Sequence, residues 1–264
     1  MQTRLARVVD GAAPEFFVDV LSTLDAAHLE YLIGGTFAFA LYARIERETK
    51  DLDVFVRPED CRRALAVLDA AGYRTELPFP HWLGKVHGNG HVMDIIFSSG
   101  NGVARVDDLW FEHATDARIF GLGVKLCPPE EILWSKAFLQ ERERFDGADV
   151  LHLLRELGPA LDWDRLLARF GDRWRVLFAH LVLFGYVYPD RRGQIPAWVM
   201  AGLTARLAAD RDEPGDALCH GTFLSREQYL VDLERGCRDA RLQPDGPMTR
   251  EEIRIWTAAI GDGH

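Results

Sequence analysis

The sequence predicts an α+β protein: a small mixed sheet flanked by helices, followed by an all-helical C-terminal region. Short apolar or alternating runs, each closed by glycine or a turn cluster, recur as far as Leu126. From Pro129 onward almost every apolar residue falls at helical spacing. The dipeptide Pro128-Pro129 marks the change. The chain therefore divides into two expected domains, residues 1–127 and 128–264.

Pro14 to Leu29 aligns Phe16, Phe17, Val20, Leu21 and Leu24 on one helical face. Tyr31-Leu32-Ile33 reads as a short buried strand stopped by Gly34-Gly35, and Thr36 to Ala43 as a short helix. Asp51 to Val56 alternates as a strand. Pro58 to Ala71 is a helix with proline in its first turn and a stop at Gly72. His91 to Phe97 is another strand, turn residues fill Ser98 to Gly102, and Ile119 to Leu126 is a strand or hairpin arm. Helices are expected at Glu130–Arg144, Ala148–Leu157, Trp163–Phe170, Trp174–Tyr188, Ile195–Ala209, Ser225–Asp239 and Thr249–Ile260. Loops are expected at Pro214-Gly215 and Pro244–Pro247.

With 264 residues, 48% of them hydrophobic and 27% charged, the chain is long and apolar enough to bury a core, which excludes wholesale disorder. Its longest apolar run, Val176 to Tyr188, is interrupted by His180 and Gly185 and falls short of the roughly 20 residues a membrane span needs. Met1 to Asp10 has no apolar segment behind Arg4 and Arg7, so no signal peptide is expected. Cys61, Cys127, Cys219 and Cys237 are far apart and form no Cys-x-x-Cys pair; reduced thiols and a cytoplasmic location are expected. A net charge of −10 argues against a protein that coats nucleic acid. Asp162 to Arg192 carries six Arg against four Asp, a mildly basic strip that is either a solvated face or a contact for an RNA backbone. His81, His87 and His91 lack metal-ligand spacing, and Trp163, Phe170, Trp174 and Phe178 read as helical core.

One stretch carries chemistry. Leu32-Ile33-Gly34-Gly35-Thr36 ends a buried strand in two glycines and a hydroxyl residue at a helix start. Glycines let a ligand approach the backbone, and a helix N-terminus offers unpaired N–H groups to phosphate oxygens. Downstream, Asp51 and Asp53 are two apart and share one face of a strand. Two carboxylates that close repel unless a cation lies between them, and a hard divalent ion such as Mg²⁺ suits them. Asp94 is a lone carboxylate in the apolar strand His91–Phe97. Three such carboxylates beside a phosphate-binding turn suit an in-line displacement at phosphorus assisted by two metal ions.

These residues resemble the DNA polymerase beta-like nucleotidyltransferase superfamily, whose signature is Gly-Gly or Gly-Ser, then Asp-hydrophobic-Asp, then a third Asp on a later strand. Gly34-Gly35-Thr36 followed by Arg47-Glu48-Thr49-Lys50-Asp51-Leu52-Asp53 is closest to the abortive-infection type nucleotidyltransferase toxins and related uncharacterised bacterial proteins. That group also carries a lysine and an Asp-x-x-Asp after the catalytic domain, matched here by Lys136 and by Asp146-Gly147-Ala148-Asp149. The spacing from Gly35 to Asp51, with Arg44 and Arg47, is similar to the small antibiotic nucleotidyltransferases as well. The resemblance covers roughly residues 30–157.

What it implies is a nucleotidyltransferase that moves NMP from an NTP to an acceptor hydroxyl of an RNA end, a protein or a small molecule, with pyrophosphate leaving. Asp51, Asp53 and Asp94 would bind two Mg²⁺ ions, and Asp94 would take the proton of the attacking hydroxyl. Gly34, Gly35 and Thr36 would hold the triphosphate; Thr36 stands in for the serine that the superfamily often has at the position of Gly35. Lys136 would meet the β/γ-phosphates, with Asp149 either orienting it or serving as an ion-pair partner on its helix; Asp146 is either part of that motif or simply the N-cap of its helix. Arg44 and Arg47 would either reach phosphates or brace the acidic strand. The competing reading is a catalytically silent member of the fold, acting as a binding or toxin–antitoxin type partner.

Overall fold

A computed structural model describes residues 6–8, 13–211 and 217–260. Most of the N-terminal stretch read against a signal peptide, and the expected Pro214-Gly215 loop, lie outside the described residues. The chain forms two compact units, Met1–Pro128 and Pro129–His264.

The first unit runs β1 (Ala6–Val8), α1 (Ala13–Ala26), β2 (Leu32–Ile33), α2 (Gly35–Ala43), β3 (Arg47–Thr49), β4 (Asp51–Phe55), α3 (Pro58–Ala70), β5 (Arg74–Phe79), β6 (Leu83–Gly88), β7 (His91–Ile96), α4 (Asp108–Glu112), β8 (Thr115–Ile119) and β9 (Leu122–Leu126). Seven of these strands form one mixed sheet in the order β5-β6-β7-β4-β2-β9-β8, and β1 pairs with β3 apart from it. Strand β4 lies parallel to β7 and antiparallel to β2. Alternation decides which residues face the core: Leu52, Val54, Met93 and Ile95 are buried, while the residues between them point to the other face. Helix α1 buries Phe16, Phe17, Val20, Leu21 and Leu24, the face its sequence spacing predicts.

Strands β5 and β6 are absent from the sequence reading. Pro78 breaks the strand pattern, and the β5–β6 register shifts between Glu76 and Phe79, so the alternation there is irregular. The segment Ile119–Leu126 belongs to a hairpin of β8 and β9 turning at Phe120-Gly121, both with positive φ.

The second unit contains α5 (Pro129–Ala137), α6 (Gly147–Leu157), α7 (Trp163–Phe170), α8 (Trp174–Val187), α9 (Ala197–Ala209), β10 (Leu218–Cys219), α10 (Leu230–Glu234), β11 (Arg238–Asp239) and α11 (Arg250–Ala258). The helix expected over Glu130–Arg144 ends at Ala137. Gln140 and Phe145 bridge across a loop there, with Glu141 N–H bonded to Arg144 O and Asp146 N–H to Leu139 O. That loop folds the chain back so that Lys136 and Asp146 meet. The helix expected over Ser225–Asp239 is only the five-residue α10; Gly236, at φ +102°, turns the chain into β11, which pairs with β10. Helix α11 opens on a capping box between Thr249 and Glu252.

Candidate active site

Strand pairing assembles the acidic residues. Asp51 and Asp53 lie on one face of β4 because side chains alternate. The parallel register sets Asp53 directly beside Asp94 of β7, so the third carboxylate joins the same face. Asp51 is exposed and Asp53 half-buried.

The glycine pair is fixed by the same strand. Gly34 N–H donates to Asp53 O at 3.0 Å. A Cβ at Gly34 would run into the Phe55 ring, and one at Gly35 into the Asp53 carboxylate. Gly35 also has φ +49°, where a side chain is strained. Only glycines let the first turn of α2 lie against the acidic strand, which places the unpaired N–H groups of that turn, Thr36 included, next to Asp53.

Thr49 aims Asp51. It is buried, and its hydroxyl donates to Asp51 Oδ1 at 2.6 Å. Arg47 lies with its guanidinium carbon 4.1 Å from the centroid of the Phe39 ring, a stacking contact that ties β3 to α2. Arg44 is exposed and caps the C-terminal end of α2 in a left-handed conformation. It is the length of that nine-residue helix, about 13 Å, from Gly35. The structure thus brings Gly34, Gly35, Thr36, Asp51, Asp53 and Asp94 together, and sets Arg44 away from the glycines along α2.

Sequence reading missed Lys85, whose Nζ is 3.0 Å from Asp94 Oδ1. The signal for it was present. Asn89-Gly90 is a two-residue hairpin turn with both residues at positive φ, and it fixes the β6–β7 register that puts Lys85 opposite Asp94.

In the second unit, Lys136 Nζ lies 2.6 Å from Asp146 Oδ2 and 2.8 Å from Asp149 Oδ2, all three side chains being mostly buried. Asp146 occupies the N-cap position of α6 but makes no side-chain cap bond; its carboxylate turns to Lys136 and Arg144 instead. Burial alone would raise the Asp146 carboxyl, and the charges and hydrogen bonds of Lys136 and Arg144 outweigh it and hold the group below the usual carboxylate range. The arginines of the Asp162–Arg192 strip are largely engaged within this unit. Arg165 and Arg169 bind Glu130 and Glu131, Arg173 lies over Phe223, and Arg175 pairs with Asp210.

Oxygen donors from Asp51 and Asp53 on one strand face have the chemistry a hard divalent cation takes. Asp94 is held by Lys85, and among the described residues no group of three or more His, Cys, Asp or Glu is placed to hold a metal ion. A cavity of about 420 Å³ in this unit, lined by Asp25, Glu30, Tyr31 and Lys125 among others, opens at the start of β2 and includes none of Asp51, Asp53 and Asp94. Among the described residues no helix is long and apolar enough to cross a membrane, and none of the four cysteines is in a disulfide.

The family described as uncharacterised nucleotidyltransferase matches residues 31–183, more than half of the chain, and includes every candidate site residue. No curated protein matches. Among solved structures, the antibiotic-resistance factor ANT(2'')-Ia is 17% identical over 76% of this chain and 96% of its own, with a TM-score of 0.38. The lincosamide antibiotic adenylyltransferase LnuA is 14% identical over 53% of this chain and 94% of its own, at 0.37. An antigenic nucleotidyltransferase-like protein from Paracoccidioides brasiliensis is 18% identical over 64% of this chain and 92% of its own, at 0.39.

Proposed function

We propose that this chain, which belongs to the uncharacterised nucleotidyltransferase family, transfers NMP from an NTP to an acceptor hydroxyl in an Mg²⁺-dependent reaction. The observation that carries the reading is the register of β4 on β7, which sets Asp53 beside Asp94 while Gly35 lies against Asp53. The N–H groups of Gly35 and Thr36 would take the triphosphate. Asp51, aimed by Thr49, and Asp53 would hold Mg²⁺. Bound there, the ion would neutralise charge on the triphosphate and its pyrophosphate leaving group. Asp94 would accept the proton as the acceptor oxygen bonds to the α-phosphorus and the bond to the β-phosphate oxygen breaks. Lys136, Asp146 and Asp149 form a charge cluster within the helical unit, and a part for it in binding the nucleotide is proposed from the sequence alone.

Arg165 and Arg169 are taken up by Glu131 and not open to an RNA backbone, which supports a small molecule or a protein hydroxyl as acceptor. An NTP substrate and thiols outside disulfides suit the cytoplasm. The Lys85–Asp94 ion pair favours one second reading, a catalytically silent chain that binds a partner of antitoxin type. Incubation with α-labelled NTPs, Mg²⁺ and cell extract separates the two. Label transfer and pyrophosphate release that vanish in Asp53→Asn are expected; release unchanged by that substitution, or no NTP binding, removes the enzymatic reading.

A further inference from the structure

The helical unit holds a cavity of about 480 Å³ between the C-terminal half of α8 and the start of α9. Leu181 and Phe184 of α8, with Ile195 and Met200, give it apolar walls. Gly185 leaves the α8 side open, since the nearest atom a Cβ there would meet outside its own helix is Arg192 Nε, at 3.5 Å. Tyr186 stands at the rim, 82% exposed. A cavity of this size, mostly apolar with few polar groups, is the usual form of a small-molecule site. The one charged group on its wall is Arg192. Its Nε donates to Gly185 O at 2.9 Å, one of the carbonyls that the end of α8 leaves unpaired. That bond pins the guanidinium against the helix and uses one of its five N–H groups. Among the described residues no carboxylate pairs with Arg192; the neighbouring Arg191 takes Asp190 instead.

We propose that this cavity binds a small apolar carboxylate: the apolar body fills the space between α8 and α9, and the carboxylate takes the two Nη groups of Arg192. The guanidinium fork matches a carboxylate in both geometry and sign. Met200, unbranched and adaptable, lets the wall fit bodies of differing shape. Capping the end of α8 accounts for Arg192 Nε alone and leaves the cavity behind it unexplained. A second copy packed on this face about a two-fold axis would bring another Arg192 to the same patch, so a carboxylate ligand is the better match. None of these residues has a part in the proposed nucleotidyl transfer, and the site stands or falls independently of that reading.

The test is calorimetric titration of the full chain at neutral pH with decanoate and with decylamine, which is protonated there, each below its micellar concentration. The two probes share an apolar body and differ in sign. The chain's net charge of −10 favours the cation at any non-specific site, so a preference for decanoate has to come from a local group. Decanoate is expected to bind one site at least about 10-fold more tightly than decylamine. Arg192→Gln is expected to remove that preference. Gly185→Leu, which puts a good helix former on α8 and fills the cavity, is expected to abolish decanoate binding. No binding of decanoate, equal affinity for the two probes, or decanoate affinity unchanged in either variant overturns the proposal. So does a dimer in sedimentation that decanoate does not dissociate. The wild-type comparison of the two probes decides even where a variant fails to fold.

Discussion

The two units treat their carboxylates in opposite ways. In the helical unit, acidic side chains are deeply buried and matched. Glu131 is fully buried, Arg165 Nη1 donates to both its oxygens at 2.6 Å, and Arg169 Nε adds a third bond at 3.1 Å. Asp239 meets the fully buried Arg241 and the Thr222 hydroxyl. In the sheet unit, Asp51, Asp53 and Asp94 share a face, Lys85 pairs with Asp94, and Asp51 is open to solvent. A matched buried cluster stabilises its own fold. Carboxylates gathered side by side on a strand pair, one of them open to solvent, are placed to meet an outside charge.

The largest effect that would break this contrast comes from exchanging one charge in each unit. Arg165→Met leaves Glu131 and Glu130 buried without their main cation and is expected to cost about 3–5 kcal/mol of stability. Asp53→Asn, a change of equal size on a half-buried strand face, is expected to shift stability by less than about 1 kcal/mol. Urea denaturation of the two variants measures both. Equal losses would mean that the acidic face is as structural as the helical clusters. A smaller effect sharpens the contrast within the sheet unit. Thr49→Val removes the hydroxyl that aims Asp51, and Mn²⁺ affinity is expected to fall about 10–100-fold, as for other groups that orient a metal ligand. Unchanged affinity in a titration would show that Asp51 needs no such aim.

The same contrast explains what the sequence made legible. Asp51 and Asp53 were readable because a strand has a period of two, and that alone fixes their common face. Gly34-Gly35 was readable as a cradle, though not the reason for it, which is the closeness of Phe55 and Asp53. That Asp94 joins them depends on strand order and register, long-range facts that no local pattern encodes; a slip of one residue would turn it to the other face. Lys85 was within reach, because the Asn89-Gly90 turn counts four residues back to it and four forward to Asp94. In the helical unit the matched pairs were largely illegible. Glu130, Glu131, Arg165 and Arg169 are ordinary surface residues by type, and only the packing of α5 on α7 buries them. The overlong helix expected over Glu130–Arg144 failed for a related reason, since the loop that folds Asp146 back onto Lys136 is fixed by tertiary contacts.

The smallest expected effect concerns pH and belongs to the helical unit. His180 is buried, donates Nε2–H to Ala137 O at 2.9 Å, and has its pKa lowered from the ordinary 6.5, because burial disfavours the imidazolium more than that carbonyl favours it. The unfolded chain therefore binds a proton at His180 at a higher pH than the folded chain does, and this residue's share of stability is complete above about pH 6.5 and declines as pH falls below it. Asp146 and Asp239, both held below the ordinary 3.8 by cations that outweigh their burial, add a second decline that begins only below that value. His180→Gln keeps a donor for Ala137 O but cannot titrate. Urea midpoints followed from pH 8 to pH 3 are expected to lose the upper decline in this variant and keep the lower one. An upper decline as steep as in the wild type would trace it to other histidines, and the helical unit's sensitivity would then reduce to its matched carboxylates.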